Sequence, residues 1–600
     1  KKTETRRVLL QGGAGMAPRA DNSVTVNPKL GVDRTGEIRK DKLLPEITAL
    51  IAPDQYELIT QPDAGIVAIQ GTAGSGKTTI ALHRVAWLHF RDPKRFSADR
   101  MMVMVFNKAL ASYISKVLPS LGVRNVEIDF FENWATKYRR RILQGRLPAR
   151  YSEHTPVSVI RFKKHPALLK IIKNFIEEKK TNFEKRLNQI LQARDCHNFP
   201  LQEINSMSLV SRSFTLYEWI EGKTKLQGKS FDFDAELRTA LLRMLKDYAE
   251  PEVSKVETVI RYWDELFSDF VFLKNEFLKL TDSLTEAGLD DITKWLKNQY
   301  TQRHSEKEEK NPDLLDIVSG SGGTSQGGAA LDYEDDPILL FFYQELFRDI
   351  PKSKNTKLSF SHLMIDEVQD FSPIELAVLL NIMDEPHTLT MAGDINQKMI
   401  EFSGFHDWES MFDNLGVKGQ KISSLKIGYR STFEIMDFSL SVLGNLASDK
   451  DFLATRRGPP VELFQLSGQG ELILLLSKSL KDLLIAEPFA SIAVICITPQ
   501  DAAEYFSMLD RMEIPDLRLI ADQDFPFTPG IDITDVKQVK GLEFDYVILL
   551  DVDKTNYPPD SYSRYLLHIA ASRAAHQLWL MNYRESSSLL PGTLLDRIIR

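Results

Sequence analysis

The sequence predicts an α/β fold: two parallel-sheet cores covered by helices, the first interrupted by a long, mainly helical insertion. Three observations predict it. Short apolar runs that read as buried strands alternate with amphipathic runs that read as helices. A glycine-rich turn, GTAGSGKTT, joins one such strand to one such helix. Between about Trp134 and Gln344 this alternation gives way to long, charged, helix-favouring sequence.

Taken in order, residues 1–44 are polar and irregular, and the chain starts on Lys1 rather than Met, so its natural N-terminus is expected to be missing. The first core occupies 45–133. Within it GIVAIQ (Gly65 to Gln70) reads as a buried strand and TTIALHRVAWLHF as the helix after the turn, and MMVMVF followed by NKALASYISKVL repeats the pair. The insertion is expected over 134–344, with basic clusters KYRRR (Lys137 to Arg141) and RFKK (Arg161 to Lys164). Residues 319–330 contain SGSGGTSQGG, which cannot bury enough apolar surface to order itself and reads as a flexible tether. Alternation resumes with LSFSHLMID and HTLTMAGD in the second part of the first core, 345–424, and with SIAVICIT and FDYVILLDVD in the second core, 425–600.

A chain of 600 residues exceeds the roughly 250–300 at which one hydrophobic core stops growing, so several domains are expected. The two cysteines, Cys196 and Cys496, lack the spacing of a zinc site or a disulfide framework, which points to a reducing compartment. No apolar run approaches the ~20 residues of a membrane helix. A formal net charge of -8 argues against a surface that is basic all over, though not against a locally positive groove.

The chemistry concentrates in a few motifs. Gly71, Gly76, Lys77 and Thr78 satisfy the phosphate-loop pattern GxxxxGK[ST], in a segment that also holds Gly74, Ser75 and Thr79. The glycines let backbone N–H groups curl around phosphates at a helix N-terminus, Lys77 adds a cation, and Thr78 offers a hydroxyl to Mg²⁺. A chance match in a chain this long has a probability of about one per cent. After the apolar run LMI, Asp366 is placed to hold the metal and Glu367 to polarise an attacking water. ATP and Mg²⁺ are therefore the expected cofactors. Phosphoryl transfer also builds charge on equatorial oxygens, which planar guanidiniums stabilise well.

The set GTAGSGKTT, IDEVQD, AGDINQ, GYRST, VKGLEF and ASRAA, in that order, resembles the UvrD-like superfamily I helicases. The resemblance implies two RecA-like cores, ATP hydrolysis and movement along DNA. It implies that Gln55 reads the adenine edge, that Gln397 senses the γ-phosphate, and that Tyr429 stacks on the base while Arg430 reaches the γ-phosphate. Glu543, with Gly541 beside it in the nucleotide site, resembles the ribose contact, and Arg573 the second arginine finger. For nucleic acid, Phe106 and Asn107 match the first strand-contacting motif, with a place in the core as the equal alternative for Phe106, and Phe402 matches a stacking position, although Ile400 and Ser403 stand where Tyr and Arg are common.

Only 110 residues separate Arg430 from Gly541, too few for a large accessory domain, while the helical insertion is long. With HRVAWL and NKALASYISKVLPSLG this pattern resembles the HelD and helicase IV branch, which implies a second possible partner besides single-stranded or partly duplex DNA, namely bacterial RNA polymerase. The basic helices around Arg139 and Lys163 are then expected either to contact that partner or to be solvated surface. A bacterial cytoplasmic location and no membrane association go with both.

Overall fold

The computed structural model describes residues 30–31, 51–62, 65–147, 150–152, 154–194, 196, 199–222, 233–248, 255–281, 286–308, 331–353, 356–398, 404–417, 422–425, 427–447 and 453–599. The expected tether at 319–330 lies outside the described residues, as do Ile400, Phe402 and Ser403 and nearly all of 1–44.

The strands, in chain order, are β1 (Gly65–Gly71), β2 (Met101–Val105), β3 (Glu127–Phe130), β4 (His362–Ile365), β5 (Thr388–Gly393), β6 (Ile422–Leu425), β7 (Ile427–Gly428), β8 (Leu453–Ala454), β9 (Glu462–Gln465), β10 (Ser491–Cys496), β11 (Leu517–Leu519), β12 (Gly530–Asp535), β13 (Phe544–Leu550) and β14 (Ala574–Asn582). They form two six-stranded sheets, of order β3-β2-β4-β5-β1-β6 and β11-β12-β10-β13-β14-β9, with β7 and β8 as a separate pair. Every pairing is parallel. The predicted α/β class with two parallel cores is what the chain adopts.

Parallel strands carry helices on both faces and so become apolar along their whole length. Every residue of β2, β5, β12 and β14 is buried. The run LSFSHLMID is strand only from His362; before it, Phe360 makes an isolated bridge to Met383. The last strand of the first sheet ends at Leu425, one residue past the division expected at 424.

The insertion is helical, as expected, and it shares the core of the first sheet. One cluster of buried side chains runs from Met102 and Met104 on β2 through Trp134 and Phe175 to Trp263 and Phe277. Its centre is the helix Asp335–Phe347, buried on all sides, which packs against the helices Phe131–Ile142, Leu209–Ile220, Lys255–Ser268 and Pro373–Leu380. A helix apolar all round needs such enclosure to form. Among the described residues no helix is long and apolar enough to cross a membrane.

For two side chains of these basic helices the expectation fails: Arg139 and Lys163 are buried, while Lys137, Arg140 and Arg141 stay exposed. Arg139 is 1% exposed, with Nε 2.9 Å from Asp336 Oδ1, and it donates to the Tyr151 hydroxyl at 2.7 Å. Lys163 Nζ lies 2.6 Å from both Asp332 Oδ2 and Asp335 Oδ1. Burial alone would lower this ammonium, but the carboxylates of Asp335 and Asp332 outweigh it and hold it above its ordinary value. The acidic run DYEDD returns against the two basic helices and pairs internally with Arg139 and Lys163. Lys163→Met, which strips the counter-charge from two buried carboxylates, is expected to cost about 3–5 kcal/mol of stability in urea unfolding. Arg140→Met, exposed in the same basic cluster, should stay within about 0.5 kcal/mol.

Candidate nucleotide site between the two sheets

The turn after β1 has the conformation its glycines allow. Gly76, at φ 84°, caps the N-terminus of the helix Lys77–Arg91. A Cβ on Gly71 would stand 2.4 Å from Ser75 Oγ and 3.1 Å from Lys77 Cγ, so only glycine lets the loop close. Lys77 Nζ donates to the Thr72 carbonyl at 3.0 Å, across the concavity of its own loop. Thr79, one residue past Thr78, is half-buried on the helix. Gln55, on the helix Pro53–Ile59, is buried with its amide against the loop, 3.8 Å from where a Gly76 Cβ would be.

The second strand of chemistry is β4, whose end delivers Asp366 and Glu367. Thr78 Oγ1 donates to Asp366 Oδ2 at 2.6 Å, joining the phosphate loop to the acidic turn. Burial and the neighbouring Glu367 push the Asp366 carboxyl up to about 7, against the Thr78 hydrogen bond and Lys77. Burial also raises Glu367, but the Lys540 ammonium, then Lys77 and the Arg573 guanidinium, pull harder and hold it below its ordinary value. Glu367 sits at φ 53°, a left-handed conformation that costs a residue with a Cβ about 1 kcal/mol or more. The Gln369 amide donates to its Oε2, and Gln369 Oε1 in turn accepts from Asp394 N at 3.0 Å. Asp394 Oδ2 is buried without a partner.

From the second sheet, the turn before β14 supplies Arg573. Its Nη2 donates to Gln397 Oε1 at 2.9 Å and its Nη1 to the Leu542 carbonyl at 3.1 Å. Gln397 Nε2 also donates to Ser572 Oγ at 3.3 Å. Burial pulls the Arg573 guanidinium below its ordinary value, and Glu367, Glu543 and Asp394 counter that pull. Tyr429 N donates to the Gly74 carbonyl at 3.1 Å, and a Cβ on Gly74 would meet Arg430 Cβ at 3.3 Å, so GYRST lies against the phosphate loop. Arg430 forms an ion pair with Glu543, which raises its pKa further. Gly541, at φ 78°, presses its backbone onto Leu110.

The structure therefore brings Gln55, the loop Gly71–Thr78, Asp366, Glu367, Gln397, Tyr429, Arg430, Gly541, Glu543 and Arg573 to one seam. It does not present Asn107 to a nucleic acid. Asn107 is 3% exposed; its Oδ1 accepts from Leu110 N to cap a helix and its Nδ2 donates to the Lys540 carbonyl at 3.0 Å. Phe106 is half-buried against the first core with Lys540 Nζ 5.3 Å from its ring centre.

Sequence reasoning missed Lys540. It is fully buried, pairs with Asp370 and donates to the Gln397 carbonyl at 2.7 Å, so it ties the second sheet to the first. The available signal was its place in VKGLEF, beside two residues already assigned. Gln369, in IDEVQD, was passed over in the same way.

The phosphate loop, the acidic turn Asp366–Glu367 and Arg573 meet at a seam between two parallel sheets, an arrangement of the P-loop nucleotide-binding class. The family model of the UvrD/REP helicase N-terminal domain matches residues 51–406, and that of the UvrD-like helicase C-terminal domain matches 530–581. The first match spans well over half of the chain, and the protein belongs to the UvrD-like helicases, a family of ATP-hydrolysing DNA helicases. No curated protein matches it. Among solved structures, it is similar to the C-terminal domain of a possible DNA helicase from Lactobacillus plantarum WCFS1, at 24% identity over 28% of this chain and 96% of that one, with a TM-score of 0.23.

Proposed function

We propose that the protein is an ATP-driven translocase on single-stranded DNA that unwinds partly duplex DNA with 3′ to 5′ polarity. The observation that supports this best is the bonding across the seam, where Arg573 meets Gln397 and Lys540 meets Asp370. A nucleotide in the phosphate loop then lies between groups of both sheets, and its hydrolysis changes how they hold each other.

In this reading Lys77 and the loop amides grip the β- and γ-phosphates, with Gly74, Ser75 and Thr79 lining the loop. Gln55 reads the adenine edge, Tyr429 stacks on the base, and Glu543, beside Gly541, takes the ribose. Glu367 accepts the proton of the attacking water. Gln397, Arg430 and Arg573 bind the charge that develops on the equatorial oxygens. Arg430 exchanges Glu543 for phosphate as the triphosphate arrives. The hydroxyl of Thr78 and the carboxylate of Asp366, already in contact, are the hard oxygen donors that suit Mg²⁺, and Asp394, whose buried Oδ2 lacks a partner, feels the charges of Lys77 and Glu367. When bound, Mg²⁺ supplies positive charge to the β/γ oxygens.

The division at 45–133, 134–344, 345–424 and 425–600 belongs to this proposal, as does a bacterial cytoplasmic location. The rival reading, an ATPase that binds and remodels bacterial RNA polymerase with little unwinding, drew on the long insertion, the short spacing from Arg430 to Gly541 and the segments HRVAWL and NKALASYISKVLPSLG; of the basic side chains it would offer that partner, Arg139 and Lys163 are spent on internal carboxylates. ATPase stimulation separates the two. A single-stranded oligonucleotide is expected to raise turnover at least about fivefold, since strand binding and closure are coupled. No rise, together with co-elution with polymerase, overturns the translocase.

A further inference from the structure

Arg456 belongs to none of the motifs above, yet it touches the backbones on which both proposed arginine fingers are mounted. The pairing of β7 with β8 lays residues 453–458 alongside 427–433. Thr455 N donates to the Gly428 carbonyl at 3.2 Å, Phe433 N to the Arg456 carbonyl at 3.0 Å, and Gly458 N to Glu434 Oε2 at 2.8 Å. A Cβ on Gly458 would stand 2.5 Å from Thr432 Cγ2, so the two segments approach as closely as glycine permits.

The Arg456 side chain crosses from this segment to the start of β14. Its Nη2 donates to the carbonyl of Arg430 itself and, at 3.0 Å, to the carbonyl of Ala575. Its Nη1 lies 3.2 Å from His576 Nδ1. A guanidinium only donates, so that ring nitrogen accepts and the neutral ring carries its proton on Nε2. Nε2 is 3.3 Å from Asp545 Oδ1, and Asp545 accepts from both the backbone N and the Oγ of Ser491 at 2.9 Å. Burial would raise the Asp545 carboxyl, but the hydrogen bonds from His576 and Ser491 hold it below its ordinary value, so it stays ionised. Nearby, Ser431 Oγ donates to the Ala574 carbonyl at 2.9 Å. One planar fork, braced by His576 and Asp545, thus holds the carbonyl of Arg430 and the second residue after Arg573.

We infer that Arg456 is a positioning residue for phosphoryl transfer: it fixes the spacing between the Arg430 and Arg573 guanidiniums while touching neither nucleotide nor water. The inference rests on the proposed roles of those two arginines. Their contribution depends on meeting transition-state oxygens together, and a displacement of about 1 Å in such a group costs on the order of 100-fold in rate. Ground-state grip comes from the phosphate loop on the other sheet and is untouched. Lysine cannot substitute, because a single ammonium lacks the rigid fork that reaches two carbonyls and a ring nitrogen at once.

The test measures kcat, KM for ATP and ADP affinity in Arg456→Met and Arg456→Lys, with Arg430→Ala alongside. The expected result is a 10- to 100-fold fall in kcat for Arg456→Met, with ADP affinity and KM within about threefold of the parent. Arg456→Lys should recover less than a third of the lost kcat. Equal losses in ADP affinity and kcat would mark a merely structural side chain and overturn the inference. So would parental kcat in Arg456→Met beside an inactive Arg430→Ala. Parental kcat in Arg430→Ala removes the functional reading and this inference with it. Should Arg456→Met be recovered unfolded, Arg456→Lys decides alone: a fivefold or greater loss of kcat at unchanged ADP affinity supports the role, and parental kcat ends it.

Discussion

Glu367→Gln is expected to lower ATP turnover by about 100- to 10,000-fold while leaving the dissociation constant for ATP within about threefold. Glutamine keeps the shape of the side chain and removes only its ability to take a proton. The proposed phosphate grip lies elsewhere, on the loop Gly71–Thr78 and the Lys77 ammonium. Three cations, Lys540, Lys77 and Arg573, hold the native carboxyl ionised despite its burial, and the Gln369 amide orients it. A carboxylate kept charged in a buried site, on a strained turn, is unlike a residue retained for packing alone. Phosphate release and the binding of a fluorescent ATP analogue, measured on the same protein, check both halves. Turnover at the parental rate would refute the assignment of Glu367 as the base.

Much of this site was legible in the sequence because its chemistry is local. The turn from β1 into the helix Lys77–Arg91 needs glycines and a lysine at fixed offsets, and an acidic pair after an apolar run needs only four or five residues to be recognised. The two parallel sheets were legible for a similar reason: strands such as Met101–Val105 announce burial on both faces by being apolar throughout. What sequence could not give was the pairing of charges across long separations. Arg139 and Asp336 are 197 positions apart, Lys163 and Asp335 are 172, and Lys540 and Asp370 are 170. A basic cluster on an amphipathic helix reads as solvated surface until the fold returns an acidic run against it. Asn107 shows the opposite gap. Its motif position suggests a strand contact, and the sequence gives no sign that its short amide caps a helix and bonds the Lys540 backbone.

Lys540→Met should cost both the docking of the sheets and turnover, because one buried ammonium pairs with Asp370 across the seam and holds the Glu367 carboxyl ionised. It pairs with Asp370, itself 1% exposed, across the seam. Removing one partner of such a buried pair typically costs about 3–5 kcal/mol. That loss falls on the contact between the sheets rather than on either sheet's own strands. Opening of the seam should therefore appear as faster proteolysis and a larger radius of gyration in X-ray scattering, with the thermal unfolding of each core little changed. Turnover should fall at least about 100-fold, since Gln397 loses the donor on its carbonyl and Glu367 the strongest of the cations that keep it ionised. The double variant Lys540→Met/Asp370→Leu separates the two duties. Replacing the whole ion pair by apolar groups removes the stranded charge and should restore most of the docking. It returns no cation to Glu367, so turnover should stay low. Recovery of turnover in the double variant would mean that Lys540 serves only as a bolt between the sheets, and that the ionisation of Glu367 rests on Lys77 and Arg573.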